Sequence, residues 1–266
     1  MQKKEFQTYL LVATFLIWGT QHPAIKILSG EMSPIVFNLL RYSIAGLALL
    51  PFMLKNGKKI EKGDLIKIAL LGFIGIFLFG ILNLTGVKLS TATNNAILLN
   101  SWPLLLVVIA PILIHEKITK KQMIGTILGF IGVLTIVTNG IDISELIKSE
   151  FFKGNILIIL SGLCIASYSM FGKKYIEKYG GLTVTFYAIT ASSILLFIFS
   201  VLSGEIFGLA NVSLNSLFLV LWVAIPTTAI TYVIWFNSID KIGLVKTSSY
   251  FFLIPLSGIL TSNIFL

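Results

Sequence analysis

The sequence has few charged residues and only one cysteine. Charged side chains make up 12% of the 266 residues, whereas hydrophobic residues make up 56%, and the mean hydropathy is +0.95. A water-soluble globule of this composition would expose large apolar patches, so that class is excluded. The lone cysteine, Cys164, excludes an intrachain disulfide and a cysteine-based metal cluster. The composition therefore predicts an all-α polytopic membrane protein.

The sequence also lacks the motifs of enzymes and ATP-driven pumps. It has no phosphate-binding glycine loop, Walker motif or metal-ligand cluster, so we expect neither an enzyme nor a resident metal or cofactor. The 11 acidic residues fall in loops or at helix ends, which disfavours a cation-specific site within the membrane. The net charge of +9 comes from lysines in short loops, not from an aromatic-interleaved patch, so no nucleic-acid partner is expected.

Apolar stretches of about 20 residues, the length that crosses a bilayer as a helix, recur along the chain. The loops between these stretches alternate between the two sides of the membrane. Fourteen lysines lie in the N-terminal tail and the loops of the same side, and three lie in the loops of the opposite side. The positive-inside rule therefore places the N-terminus in the cytoplasm of a multi-pass protein of the inner or plasma membrane. The nine predicted spans are Thr8–Leu28, Pro34–Leu54, Leu65–Val87, Thr91–Ile114, Met123–Asn139, Gly154–Phe171, Leu182–Leu202, Leu214–Phe236 and Leu244–Leu266.

A proline-marked segment occurs twice. Ala92–Glu116 has amides at its head and Pro103 near its middle; sliding Leu244–Leu266 back by 152 positions sets Pro255 on Pro103. Because each unit should hold five helices, the second enters the membrane from the opposite side. The sequence therefore predicts two inverted repeats.

The predicted repeats occupy residues 1–140 and 154–266. The second copy stops two residues before its counterpart of Glu116, so nine helices are visible of an expected ten. In the first unit Glu116 is expected at the cytoplasmic end of the fourth helix, beside Lys117. The fifth helix should pack closely through its small residues, which are Gly125, Gly129 and Gly132.

Several stretches resemble EamA-type members of the drug/metabolite transporter superfamily. They are WGTQHPAIKIL at Trp18–Leu28, SPIVFNLLRYSIAGLALLP at Ser33–Pro51, and the run from Ala92 through Pro103 to HEKITKKQMIGTILGFIGV at His115–Val133. The resemblance covers essentially the whole chain. It implies ten helices in two inverted five-helix repeats, and export or exchange of small metabolites, often amino acids. The chain departs from this pattern by ending before a tenth helix, through truncation or as a nine-helix protein.

The function expected from these features is a secondary transporter in the lipid bilayer. It would export a small metabolite by alternating access, and the expected substrate is an amino acid or related zwitterion. The sequence leaves open whether the protein forms a homodimer. The alternative is a truncated, non-transporting membrane protein that acts as a packing or regulatory subunit. Exposed small residues on the ninth helix would favour that alternative, whereas a closed polar cavity would favour the carrier.

The N-terminal ends of the fourth and ninth helices, here called their heads, carry polar residues. These heads should approach the membrane midplane from opposite sides and form a polar path. Two prolines lie beyond these heads, Pro103 and Pro255, and are expected to kink the helices. Each removes a backbone donor and frees a carbonyl that a substrate could use; the alternative is a kink that serves packing alone. The candidate residues in the heads are Asn94, Asn95, Ser101, Ser248 and Tyr250.

The first two helices carry further candidates. Trp18 and His22 share a face of the first helix, and His22 is the sole candidate for a proton relay, the alternative being a neutral histidine bonded between helices. Arg41, the only arginine, could attract a substrate carboxylate; the alternative is a structural pairing, for example with Glu31. Hydroxyl, amide and aromatic side chains elsewhere are candidate cavity residues and are also ordinary contacts between helices: Asn83, Tyr168, Thr231, Tyr232 and Trp235.

Overall fold

The structure is a computed structural model that describes residues 2–90, 92–138 and 151–265. These ranges contain helices and turns and no strand, which confirms the predicted all-α polytopic class. Nine helices of the described ranges correspond to the nine predicted spans and are counted here from first to ninth. A short 3₁₀ helix, Glu205–Asn211, lies between the seventh and the eighth.

Six of these helices are continuous, and three are divided. Five of the continuous ones, all but the fifth, are long and apolar enough to cross a membrane by length and composition. The continuous helices are the second, Pro34–Asn56, the third, Lys62–Lys88, the fifth, Lys120–Thr138, the sixth, Phe152–Tyr179, the seventh, Gly181–Leu202, and the eighth, Leu214–Ile242. The divided helices are the first, Gln2–Gly19 and Gln21–Glu31, the fourth, Ala92–Leu99 and Trp102–Leu113, and the ninth, Leu244–Ser249 and Ile254–Phe265 joined by the 3₁₀ turn Tyr250–Leu253.

Local sequence signals set where several helices begin. The Ser33 hydroxyl accepts a hydrogen bond from the Val36 backbone N–H at 3.2 Å and so caps the second helix, which opens on Pro34. The seventh and ninth helices each follow a glycine with positive φ, Gly180 at 83° and Gly243 at 91°. Only glycine adopts this backbone conformation without strain, so these two residues allow sharp turns between adjacent helices.

The irregular turns of the two halves occur at equivalent positions. A π-helical segment interrupts the third helix at Phe73–Leu78, and another interrupts the eighth at Ile225–Ile230. The second segments of the fourth and ninth helices span Trp102–Leu113 and Ile254–Phe265. Both pairs are separated by 152 residues, the same offset that aligns the two prolines.

The structure places both prolines at the start of a helical segment. Pro103 is the second residue of the segment that begins at Trp102, and Pro255 is the second residue of the segment that begins at Ile254. The first N–H groups of a helical segment have no acceptor within that segment, so proline is tolerated there. The fourth helix therefore ends before Pro103 and begins again, whereas the sequence led us to expect a kink within a continuous helix.

Close helix contacts depend on a few small residues. The third helix packs against the sixth, and a Cβ added at Gly75 would lie 2.2 Å from the Tyr168 Cβ. On the fifth helix, a Cβ added at Gly129 would meet the Phe252 ring at 2.2 Å, whereas one added at Gly125 or Gly132 would meet no described residue within 4 Å. The expected close backbone packing of the fifth helix is therefore wrong for Gly125 and Gly132.

Candidate functional site

An aromatic cluster fills the interior between the first, fourth, sixth, eighth and ninth helices. Its neighbouring rings have centroids 4.9 to 6.4 Å apart, mostly in edge-to-face geometry. Trp102 and Trp235 are completely buried. We call this set the interior aromatic cluster; its members are Phe15, Trp18, Trp102, Tyr168, Tyr232, Trp235, Phe236 and Phe251.

The cluster surrounds the interruptions of the helices that form it. Trp18 lies just before the break of the first helix at Thr20, and Trp102 follows the break of the fourth. Phe251 lies within the 3₁₀ turn of the ninth helix. Where a helix is interrupted inside a membrane protein, backbone groups are left for neighbouring side chains or a bound ligand.

Buried polar atoms without a hydrogen-bond partner concentrate at this cluster. Among the described residues five such atoms occur: Trp102 Nε1, Trp235 Nε1, the Tyr168 hydroxyl, the Thr231 hydroxyl and the Thr185 hydroxyl. Three belong to the cluster itself, and Thr231 precedes Tyr232. Leaving a buried polar group unpaired costs about 1–3 kcal/mol. Such groups mark the cluster as a place where a ligand could supply the missing partner.

Arg41 of the second helix lies beside the cluster and is buried, with 8% of its surface exposed. Its Nε donates to the Thr228 hydroxyl at 2.8 Å, and its Nη2 donates to Gln21 Oε1 at 3.2 Å. The suggested partner Glu31 instead accepts a hydrogen bond from the Ser216 hydroxyl. A charged side chain at membrane depth costs at least about 2.5 kcal/mol, and two neutral acceptors do not neutralise it.

The π-helical segment of the eighth helix connects Arg41 to the cluster. Thr228, which accepts from Arg41, lies one turn before Tyr232. The neighbouring Thr227 carbonyl accepts a hydrogen bond from Trp18 Nε1 at 2.7 Å. One segment of backbone therefore holds both the guanidinium and an indole of the cluster in position.

The predicted site residues divide into two groups. The structure brings together six of them on adjoining helices, either within the cluster or beside it. The three asparagines lie elsewhere, and the hydroxyls of Ser101 and Ser248 donate to carbonyls of their own helices, at 2.7 and 2.8 Å. Tyr250 is half-buried against the core, and the side chain of His22 lies outside the described residues. The six are Trp18, Arg41, Tyr168, Thr231, Tyr232 and Trp235.

The asparagines link the third, fourth and sixth helices. Asn83 Nδ2 donates to Asn95 Oδ1 at 2.8 Å and to the Ser161 hydroxyl at 3.3 Å. Asn94 Nδ2 donates to Asn155 Oδ1 at 3.1 Å. Asn95 lies in the first segment of the fourth helix, whereas Trp102 begins the second segment, beyond the break. These amides form a polar contact between helices that is separate from the cluster.

Four members of the cluster were not among the predicted site residues: Phe15, Trp102, Phe236 and Phe251. Trp102 stands between two predicted residues, Ser101 and Pro103, and its unpartnered indole is evident only in three dimensions. Phe251 contacts Trp102 with ring centroids 4.9 Å apart across 149 positions of sequence. A tryptophan directly before a proline inside a predicted span is the signal that could have indicated Trp102.

Polar contacts tie the helices together at the lysine-rich end. Glu116 Oε2 accepts from Lys173 Nζ at 2.7 Å, and Glu116 Oε1 accepts from the Val245 backbone N–H at 2.9 Å. The carboxylate thus caps the ninth helix, where negative charge is stabilising. Asp64 Oδ2 accepts from Lys178 Nζ and from the Tyr179 hydroxyl, both at 2.8 Å.

The opposite end is closed by carboxylate–hydroxyl contacts. The Ser33 hydroxyl donates to Glu205 Oε2, and the Ser216 hydroxyl donates to Glu31 Oε2. These contacts join the start of the second helix to the 3₁₀ helix, and the end of the first helix to the start of the eighth. The interior aromatic cluster therefore lies between two cross-linked ends.

Two cavities between helices lie outside the cluster. One of about 400 Å³ lies between the second and seventh helices, over Gly46 and the Ser43–Ser193 hydrogen bond. The other, about 310 Å³, lies at the end opposite the lysines and includes Glu31 and Glu205. In the described part of the chain, buried and packed rings occupy the interior where the sequence predicted a polar path.

Comparison with known proteins gives consistent matches. The model of the EamA-like transporter family matches residues 7–138 and 152–266. The uncharacterized transporter YyaM of Bacillus subtilis is 30% identical over 265 residues, with 97% of this chain and 86% of that protein covered. An uncharacterized transporter of Archaeoglobus fulgidus is 30% identical over 258 residues, with 97% and 89% covered. A solved crystal structure aligns with a TM-score of 0.80 over 98% of this chain and 89% of its own; at 16% identity it shows the fold alone.

Proposed function

Since this chain belongs to the EamA-like transporter family and is a membrane transporter, we propose that it is a secondary carrier that exports a small metabolite by alternating access. An amino acid or related zwitterion is the leading substrate class. The proposed transport site is the interior aromatic cluster together with Arg41. The substrate would reach it alternately from each cross-linked end.

The unpartnered donors of the cluster are the observation that carries this proposal. A binding site for a small molecule is mostly apolar, with a few polar groups that fix orientation. The cluster supplies aromatic rings and, in Trp102 and Trp235, two buried indole N–H groups without acceptors. The interrupted first, fourth and ninth helices meet there, as discontinuous helices do at the midplane sites of secondary transporters.

We also propose that residues 1–140 and 154–266 form two inverted repeats. The common offset of 152 residues between irregular turns supports this organisation. The lysine distribution supports a cytoplasmic N-terminus in the inner or plasma membrane. In that orientation the Glu116 contacts close the cytoplasmic end, and the Glu31 and Glu205 contacts close the outer end.

The alternative of a non-transporting packing subunit gains no support from the ninth helix. Its small residues Ser257 and Gly258 are buried, and they lie against Gly19 of the first helix. They are therefore covered by this chain and do not form a free surface for a partner.

The test is metabolite profiling of the medium around cells that express wild-type protein, Trp235→Phe or Trp222→Phe, with membrane insertion confirmed for each. Trp235→Phe removes an unpartnered buried donor and keeps a ring. Trp222, 45% exposed, provides the matched control for the same chemical change. We expect one compound to accumulate with wild-type and the control, and its rate of appearance to fall roughly tenfold with Trp235→Phe. An unchanged medium with all three proteins inserted would contradict the carrier.

A further inference from the structure

The polar groups at the proposed transport site are predominantly donors. The indole N–H groups of Trp102 and Trp235 can only donate, and the unpartnered hydroxyls of Tyr168 and Thr231 can donate or accept. In the described ranges the acidic side chains lie near helix ends, away from this interior. A ligand that satisfies the site therefore brings acceptor atoms.

Arg41 adds a positive charge to the same region. Its two hydrogen-bond partners, Thr228 and Gln21, are neutral, and no ion pair within the described part of the chain includes it. These bonds use two of the five N–H groups of the guanidinium. Arg41 thus retains donors of the geometry that matches a carboxylate.

The eighth helix places the charge and the indoles along one face. Thr231 and Trp235 are four residues apart in the α-helical part and so lie on the same side of the helix, and Thr228, in the π-helical turn before them, is buried as they are. Seven residues separate the Arg41 contact at Thr228 from Trp235, about 10 Å along the axis. The Trp102 and Trp235 rings are adjacent, with centroids 6.4 Å apart. The site is therefore about the length of a small molecule with a charged head and an aromatic body.

An ammonium group has no comparable partner in this arrangement. It requires acceptors or an open aromatic face. Trp235 is stacked on Phe236 with ring centroids 4.9 Å apart, and the Trp18 and Trp102 rings lie in edge-to-face geometry with it at 5.7 and 6.4 Å. One face of the buried Trp235 ring is therefore covered by Phe236.

We propose that the site binds an organic anion, with a carboxylate at Arg41 and an aromatic or carbonyl-bearing body at the Trp102–Trp235 pair, and that an ammonium group contributes nothing to affinity. This rests on the proposed function, because it names the chemical class of ligand for the same site. Of the two charged groups of a zwitterion, the site then recognises the carboxylate and not the ammonium.

The test uses three probes that share a phenyl ring. Phenylpyruvate has the carboxylate without an ammonium, phenylalanine has both, and phenethylamine has the ammonium alone. Binding to the purified full chain in lipid nanodiscs is measured by isothermal titration calorimetry. We expect phenylpyruvate to bind at least about tenfold more tightly than phenethylamine, and phenylalanine no more tightly than phenylpyruvate. Equal or tighter binding of phenethylamine, or failure of phenylpyruvate to bind, overturns the inference.

Two variants test whether Arg41 causes the preference for phenylpyruvate over phenethylamine. Arg41→Gln should abolish the advantage of phenylpyruvate over phenethylamine, and Arg41→Lys, which keeps the charge and loses the fork of donors, should retain part of it. An advantage that persists in Arg41→Gln overturns the assignment. If Arg41→Gln does not fold, the affinities of the wild-type protein and of Arg41→Lys for the three probes test the inference. Metabolite profiling uses no chosen ligand, so export of a compound without a carboxylate would overturn this inference and leave the carrier standing.

Discussion

The indole nitrogen of Trp18 donates a hydrogen bond to the backbone carbonyl of Thr227 at 2.7 Å, across 209 positions of sequence. The donor lies just before the break of the first helix, and the acceptor lies in the π-helical segment of the eighth. Both groups are buried. The bond therefore joins the first helix to the eighth at the proposed transport site.

Replacing Trp18 by phenylalanine should destabilise the protein. The substitution keeps an aromatic ring, but the buried Thr227 carbonyl loses its indole donor. Leaving that carbonyl unpaired costs about 1–3 kcal/mol of stability. The measurement is denaturant or thermal unfolding of the purified protein in one detergent. Trp222→Phe is the control, since the Trp222 indole bonds Thr20 at 3.2 Å on an exposed surface. Equal losses of unfolding free energy in the two variants would show that the buried hydrogen bond contributes no more to stability than the exposed one.

Alanine at Gly75 should disturb the contact between the third and sixth helices. The added Cβ would lie 2.2 Å from the Tyr168 Cβ, so backbone must shift, at a cost of about 1–3 kcal/mol. Gly125→Ala is the matched control, because its Cβ meets nothing within 4 Å and alanine favours the helix by up to about 1 kcal/mol. Unfolding midpoints should move in opposite directions. A Gly75→Ala protein as stable as wild type would refute the close contact.

The Glu116–Lys173 pair should show energetic coupling in a double-mutant cycle. The carboxylate side chain is 8% exposed and the lysine 23%, and they are 2.7 Å apart. With Glu116→Gln and Lys173→Met we expect a coupling of about 1–3 kcal/mol. The exposed Glu61–Lys178 pair, 2.8 Å apart, should give a much smaller coupling because solvent screens it. Similar values for the two pairs would mean that burial of Glu116 contributes little.

Cysteine labelling in intact cells should report the orientation of the chain. Cys164 is buried, and Cys164→Ala provides a background without thiols. In that background Phe207→Cys, at a position 79% exposed, should react with a membrane-impermeant maleimide from outside. Lys59→Cys should react only after the cells are permeabilised, as the lysine distribution predicts. The reverse pattern would place the N-terminus outside.

Helix positions were largely predictable from the sequence, because the bilayer fixes the length of each apolar span. The predicted Pro34–Leu54 and the observed Pro34–Asn56 differ by two residues at one end. The predicted sixth span stopped at Phe171, whereas the helix continues to Tyr179. Its last turns carry lysines, so they are helical without being apolar, and a hydropathy criterion omits them.

The partners of the polar residues were not predictable in the same way. The sequence indicated no partner for Glu116, which contacts Lys173 and the backbone of Val245. The partners of Arg41 include Thr228, 187 positions away. Such contacts depend on which helices are neighbours and how each is rotated, and an apolar helix with weak amphipathic pattern reveals neither. The same reason accounts for the omission of Trp102 from the predicted site.

The π-helical segment of the eighth helix explains how that helix accommodates a proline. In an α-helical turn the ring of proline strikes the carbonyl four residues back, and its nitrogen cannot donate. Pro226 is the second residue of Ile225–Ile230, where hydrogen bonds reach five residues back and the turn is wider. The eighth helix therefore runs without a break over Leu214–Ile242, whereas the fourth stops and restarts at Pro103. The wider turn around Pro226 therefore lets the eighth helix continue through a proline.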